Sequence, residues 1–95
     1  MPKIAPLHPG EVLLEEFMKP HGLSANALAR RLNVPANRIS SVVNGSRSVT
    51  ADTALRLARA FQTTPEFWLN LQKAHDLDIA RDQASDLSGI KPVAA

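Results

Sequence analysis

The sequence contains no cysteine and no long run of apolar residues. Without cysteine the chain can form neither a disulfide nor a thiolate metal site, and it has no thiol nucleophile. Nowhere do about 18 apolar residues follow one another, and the N-terminal residues lack the apolar stretch of a signal peptide. We therefore expect a soluble, cytoplasmic protein, for which the lack of cysteine suits a reducing compartment.

Motifs for catalysis or cofactor binding are missing as well. His8, His21 and His75 lie far apart on different predicted elements, and none belongs to an HExxH or paired-histidine pattern that holds a metal. The chain has no glycine-rich phosphate loop and no nucleophile motif. We expect neither an enzyme nor a metal or cofactor site.

The length of the chain limits the size of its core. Its 95 residues, 44% of them apolar, suit one compact domain. A chain of this length buries only about 60–65% of the surface that it exposes when unfolded. Because a partner would add buried area, we expect oligomerisation.

The net charge of +2 is unevenly distributed along the chain. Six arginines but only one acid, Asp52, lie between residues 30 and 59, whereas the segments on either side carry a small excess of acids. An arginine guanidinium can grip a phosphate with two parallel hydrogen bonds, so this cluster suits a polyanion-binding surface. Solvated helix faces can also be basic, and the charge alone leaves both interpretations open.

Residues 24–45 have the pattern of two short helices joined by a turn of about three residues. Ser24 is a favourable N-cap for the first helix, and Asn33 can end it in the left-handed conformation. Pro35 suits the first position of the second helix, which Asn44 and Gly45 end. Apolar residues at helical spacing pack the pair together: Leu28, Ala29, Leu32, Val34, Ile39 and Val42. This pattern predicts a helix-turn-helix.

Three further helices are predicted around this pair. The first runs from about Pro9 to Lys19, the fourth starts after the cap Thr50, and the fifth starts at Thr64 and Pro65. The expected fold is all-α with five helices, forming one domain over residues 1–80. Residues 81–95, rich in Asp, Ser, Gly, Pro and Ala, are predicted to form a flexible tail.

The second helix of the pair has an outward face of short polar side chains. At about 100° per residue, Ile39 and Val42 face inward. The opposite face carries Asn37, Ser41 and Asn44, with Arg38 and Ser40 on its flanks. Asn and Ser do not favour helices, whereas Asn can bind adenine with two hydrogen bonds in the major groove of DNA. Either residue alone could be ordinary surface, but the combination on one face favours DNA recognition.

Two further surfaces are predicted outside that face. Arg47, in the loop after the second helix of the pair, is placed to contact a DNA phosphate, and a hydrogen bond to local carbonyls is the alternative. At the start of the fifth helix, Phe67, Trp68 and Leu71 exceed what one face can bury, so we predict the dimer contact there. A tryptophan in such a pattern lies in the core more often than it serves as a ligand platform, so a place in the core is the alternative for Trp68.

Four stretches of the chain form one combination: His8-Pro9-Gly10-Glu11, LSANALAR at 23–30, NGSRSVTADTALRL at 44–57 and PEFWLNLQ at 65–72. Together they resemble the HigA family of addiction-module antidotes, within the lambda-repressor-like, XRE-type helix-turn-helix class. The likeness extends in register from His8 to about Ala80. It implies a homodimer that binds an inverted-repeat operator of its own operon. It also implies a complex with a ribosome-dependent, mRNA-cleaving toxin of the HigB type.

The resemblance also implies roles for single positions. Ala36, Asn37 and Ser41 occupy sites that usually face bases, and they are flanked by Arg38, Ser40, Asn44 and Arg47. Three positions depart from the class. Ala25 stands where a phosphate-binding glutamine is common, and Asn33 and Gln62 stand where glycine is common. Asn33 and Gln62 are tolerable there, whereas Ala25 and Ala36 together suggest fewer polar DNA contacts than a strong repressor makes.

Two alternatives remain at this point. The chain could be an orphan or phage-type repressor without a toxin, in which case no small basic toxin gene would lie next to its own. It could instead neutralise a toxin purely by protein binding, in which case it would not shift an operator fragment at physiological salt.

Overall fold

The computed structural model describes residues 6–84 and 87–94, and every regular element in these ranges is helical. The helix α1 (Pro9–Val12) runs directly into a π-helical segment (Leu13–Met18). Four α-helices follow: α2 (Ala25–Leu32), α3 (Ala36–Val43), α4 (Ala51–Phe61) and α5 (Pro65–Gln83). A 3-10 turn spans Leu87–Gly89. The predicted all-α fold with five helical units is confirmed.

Side-chain caps fix the starts of three helices where the sequence predicts them. Ser24 Oγ accepts a hydrogen bond from the Ala27 amide at 3.1 Å, and Thr64 Oγ1 accepts one from the Phe67 amide at 3.1 Å. Thr50 begins α4 in the same way. Each cap satisfies an amide that the helix itself leaves unpaired and stabilises the fold by about 1 kcal/mol.

The turn between α2 and α3 has the predicted geometry, with one shift. Asn33 ends α2 in the left-handed conformation, with φ of 57°. Pro35, predicted as the first residue of the next helix, is instead its extended N-cap with ψ of 146°, so α3 begins one residue later. Gln62 ends α4 in the same left-handed conformation as Asn33. Asn33 and Gln62, which stand where the class commonly has glycine, therefore both adopt the positive φ that glycine favours.

The first helix is not the uniform α-helix that its apolar spacing predicts. The segment from Leu13 to Met18 is π-helical, so an amide donates to the carbonyl five residues before it instead of four. The Lys19 amide, for example, donates to the Leu14 carbonyl at 2.9 Å. A π-helix brings residues five apart close to one face. Leu13 and Met18 are both buried as a result, while Leu14 and Phe17 pack against the core from the side.

Trp68 lies at the centre of the core with no exposed surface. Its indole Nε1 donates to Thr63 Oγ1 at 2.8 Å, and its ring lies 5.1 Å from that of Phe17. The prediction that Trp68 belongs to a dimer contact is therefore wrong for this conformation, since a second copy cannot touch it. The core around it includes Leu13, Met18, Leu28, Ile39, Val42, Val49, Ala54 and Leu57.

Helix α5 is longer than the sequence predicts. It continues to Gln83, so the predicted boundary between domain and tail at residues 80 and 81 falls inside it. Leu77 and Ile79, in its second half, remain exposed at 43% and 41%. The predicted tail lies partly outside the described residues. No helix in residues 6–84 and 87–94 is long and apolar enough to cross a membrane.

The start of α1 touches the last turn of α3 through Gly10. A Cβ atom placed on Gly10 would lie 1.8 Å from the carbonyl oxygen of Val42 and 2.6 Å from its carbonyl carbon. Both are backbone atoms, which cannot rotate away. Only glycine permits this approach, and the approach positions the C-terminal end of α3.

Gly10→Ala is expected to destabilise the fold by about 2–3 kcal/mol, because the added methyl must push the two helices apart. For a domain of this size that corresponds to a fall in Tm of about 4–8 °C per kcal/mol, measured by thermal unfolding. Gly89→Ala is the control, since a Cβ there meets nothing within 4 Å. Equal Tm values for the two variants would contradict the close approach.

His8 caps α1 and contacts a second histidine. Its Nδ1 accepts a hydrogen bond from the Gly10 amide at 2.9 Å, and its ring packs at 82° to the ring of His75 with 4.9 Å between centroids. Burial lowers the pKa of His8 below its usual 6.5, and the neighbouring His75 lowers it further against a smaller opposite effect of Asp76. The neutral form, which the cap requires, is therefore favoured in the folded chain.

This shift predicts a loss of stability in mild acid. The unfolded chain protonates His8 near pH 6.5, whereas the folded chain does so only at lower pH. The free energy of unfolding therefore falls as the pH drops below that value and is fully restored above it. His8→Asn keeps a cap acceptor without a titrating group. Urea unfolding between about pH 7.5 and 5 should show a smaller loss for the variant; parallel losses would contradict the assignment to His8.

Candidate nucleic-acid interface

The orientation of α3 agrees with its predicted rotation. Ile39 and Val42 have no exposed surface, and they fix the inward face of the helix. The opposite side exposes Ala36, Asn37, Ser40 and Asn44, while Ser41 is half-buried. We call this outward set, with Ser41, the α3 polar face. It carries no charged group, and its small side chains leave the helix free to approach another surface closely.

The loop after α3 is held by the helix that precedes it. Gly45 adopts a positive φ of 84°, which turns the chain back. The carbonyl of Ser41 then accepts hydrogen bonds from the amides of Ser46 and Arg47 at 3.0 and 3.1 Å. Asn44 Oδ1 accepts from the amide and the hydroxyl of Ser46 at 2.9 and 2.6 Å. The carboxamide oxygen of Asn44 is therefore occupied by the loop rather than free for a partner.

Arg47 projects from this loop with an exposed side chain. Only its backbone amide is engaged, in the bond to the Ser41 carbonyl. Within residues 6–84 and 87–94 its guanidinium has no hydrogen-bond or ion-pair partner, so the alternative of local side-chain bonds is not observed. The charge stands close to the end of α3, available to an anion.

A buried glutamine anchors the far end of the same loop. Gln72, on α5, is only 6% exposed. Its Oε1 accepts from the Val49 amide at 2.7 Å, and its Nε2 donates to Asp76 Oδ1 at 2.9 Å. A buried amide without such a partner would cost about 1–3 kcal/mol. The loop that carries Arg47 is therefore fixed to α3 at one end and to α5 at the other.

Asp52 joins two arginines beside the α3 polar face. Its Oδ2 accepts from Arg38 Nη1 at 2.6 Å and from Arg56 Nε at 3.0 Å. Arg56 Nη1 also donates to the Leu32 carbonyl at 2.7 Å. Hydrogen bonds from Arg56 and then Arg38 hold the pKa of Asp52 below its usual 3.8. Arg38 flanks the α3 polar face as predicted, and its Nη1 donor is engaged by the carboxylate of Asp52.

Arginines of α2 and α4 extend the basic surface away from α3. Arg31, Arg56 and Arg59 line a hollow between α2 and α4, next to Leu55, which is 59% exposed. The cluster seen in the sequence is therefore not confined to the neighbourhood of the α3 polar face. Arg38 and Arg47 are the two that the described contacts place beside it.

Sequence reasoning missed the contacts of Asp52, Arg56 and Gln72. Asp52 and Arg56 are four residues apart on a helix, a spacing at which opposite charges meet, so that pair had a readable signal. Asp52 and Arg38 are 14 residues apart on different helices, and Gln72 is a polar residue in an otherwise unremarkable helix. No local pattern marks those two contacts.

Together the paired helices and the exposed polar face define a helix-turn-helix protein. The helix-turn-helix family matches residues 14–68. A HigA-family addiction module antidote protein from Coxiella burnetii is 49% identical, with a TM-score of 0.88 over 95% of this chain and 100% of that one. Antitoxin GraA in complex with its operator is 44% identical, with a TM-score of 0.88 over 100% and 98% of the two chains.

A sequence relative gives the same result. Antitoxin HigA-1 from Vibrio cholerae is 40% identical over 92 residues, which are 96% of this chain and 87% of that protein. The present chain belongs to the HigA family of helix-turn-helix antitoxins.

Proposed function

We propose that this chain is a sequence-specific DNA-binding antitoxin that represses its own operon and binds a HigB-type mRNA-cleaving toxin. The observation that carries the DNA-binding part is the α3 polar face, small and uncharged, with the free cation Arg47 at its end. A helix of this kind fits the major groove, where hydrogen bonds to base edges distinguish sequences. The structure of antitoxin GraA, which is 44% identical to this chain, shows that protein in complex with its operator.

The proposed contacts divide into base and phosphate contacts. Asn37, fully outward on α3, would bind adenine; Ala36 would meet a thymine methyl, and Ser41 would accept or donate at close range. Arg47 would contact phosphate from its anchored loop, with Ser40 and Asn44 at the edges of the groove. At the start of α2, the half-buried Ala25 offers no side-chain donor. The proposal therefore includes no phosphate contact from this position, where the class commonly has glutamine.

We further propose that two copies form a two-fold dimer on an inverted repeat. One helix of eight residues contacts too few bases for a long site, and two related half-sites about one DNA turn apart supply the rest. Helix α5 remains the proposed dimer contact. Because Trp68 lies inside the core, the apolar surface that α5 can offer a second copy consists of Phe67, the half-buried Leu71, and the exposed Leu77 and Ile79.

Asn37→Ala is expected to weaken binding to the operator by about 1–3 kcal/mol and to leave binding to random DNA nearly unchanged, because only base readout is lost. Arg47→Ala is the contrasting variant. It should weaken both complexes and reduce the salt dependence of binding by about one phosphate contact. Fluorescence anisotropy with the upstream region of its own gene and a scrambled duplex measures both.

Two outcomes would count against this division of roles. Equal losses on the two duplexes for Asn37→Ala would remove its base-reading role. An unchanged salt slope for Arg47→Ala would show that its guanidinium does not contact phosphate.

The toxin part of the proposal is tested by co-expression with the product of the adjacent gene. We expect the two proteins to co-purify and the antitoxin to restore growth and intact mRNA in cells that express the toxin. Operator shifts with and without that partner then show whether the complex represses. Operator binding without any co-purifying partner would favour an orphan repressor, and co-purification without operator binding would favour a purely protein-binding inhibitor.

A further inference from the structure

We propose that Asp52 is a positioning residue that sets the DNA specificity of this protein by orienting Arg38 beside the α3 polar face. The inference rests on the proposed DNA-binding function and adds to it a residue that touches no base. Three helices meet in the contacts that support it, which we call the Asp52 bridge: Arg38 on α3, Asp52 and Arg56 on α4, and the carbonyl of Leu32 at the end of α2.

One side of the bridge is fixed independently of Arg38. Arg56 lies one helical turn after Asp52 and donates to its Oδ2 at 3.0 Å. The same guanidinium donates to the Leu32 carbonyl at 2.7 Å, across 24 residues of sequence. Leu32 is the last residue of α2, where carbonyls lack a partner within the helix. The carboxylate is thereby held relative to both α2 and α4.

The other side of the bridge belongs to the α3 polar face. Arg38 follows Asn37 directly in α3, and its Nη1 donates to Asp52 Oδ2 at 2.6 Å. A free arginine side chain loses conformational entropy when it is ordered on a partner. Here part of that ordering is present before DNA arrives. A guanidinium has five N–H donors, so the donors not used by Asp52 remain available at a defined edge.

The charge of Asp52 has a second consequence. Its side chain is 55% exposed, next to an arginine that is 29% exposed. Its carboxyl is ionised at neutral pH, and hydrogen bonds from Arg56 and Arg38 hold its pKa below the usual 3.8. A carboxylate beside a phosphate-binding surface lowers the attraction for any DNA, whatever its sequence. The charge of Asp52 is therefore expected to weaken binding to random DNA and to the operator alike, and the specificity ratio is raised by its orientation of Arg38 alone.

The contribution of the bridge to folding is expected to be small. Ion pairs between solvent-accessible side chains add little to the free energy of unfolding. The Asp52→Asn variant should therefore fold, and a urea unfolding curve of the free protein verifies that. A role in DNA recognition can then be separated from a merely structural one.

The test compares Asp52→Asn with Glu66→Gln, a matched control that also removes one negative charge from the exposed first turn of a helix. Dissociation constants are measured for the upstream region of its own gene and for a scrambled duplex over a range of salt. For Asp52→Asn we expect tighter random binding with a steeper salt slope and a specificity ratio reduced about three- to tenfold. Glu66→Gln should leave the ratio unchanged.

A double-mutant cycle shows whether Asp52 acts through Arg38. In an Arg38→Ala background, Asp52→Asn should no longer lower the specificity ratio, although it should still strengthen random binding through the lost charge. A ratio for Asp52→Asn equal to that of Glu66→Gln, or an undiminished effect of Asp52→Asn in the Arg38→Ala background, overturns the inference alone. A wild-type protein that does not prefer its operator region overturns the proposed function and this inference together.

Discussion

The burial of Ile39 and Val42 is the interaction on which the rest of the site depends. With both side chains wholly inside, α3 can turn only one face outward, and that face carries Ala36, Asn37 and Ser40. The contact between Gly10 and the Val42 carbonyl also fixes the C-terminal end of the same helix. A polar face without this rigid backing would have no defined direction.

Polar contacts then place charges around a helix that the apolar core has oriented. Gln72 and the Ser41 carbonyl hold the loop of Arg47 at both ends, and Asp52 holds Arg38. The hydrogen bond between the Val49 amide and Gln72 is buried and costly to break, whereas the contact between Arg38 and Asp52 is exposed and contributes little to stability. A buried contact thus holds the loop in place, and an exposed contact orients an arginine beside the α3 polar face.

The largest side chain of α5, Trp68, is buried in the small core. Trp68 fills the space between α5 and the first helical unit, and Phe17 packs against it. Less apolar surface is then left at the start of α5 than its sequence suggests. The exposed apolar side chains of α5 shift toward its second half, at Leu77 and Ile79.

Local features were readable from the sequence because their causes are local. The caps Ser24, Thr50 and Thr64, the left-handed Asn33 and the rotation of α3 depend on residues within about one helical turn. The burial of Trp68 and the Arg38–Asp52 contact depend on residues distant in the chain that packing brings together. The sequence alone determined the helix-turn-helix and the composition of its outward face; the tertiary structure decided which charges stand beside that face, because only packing sets the distance between separate helices.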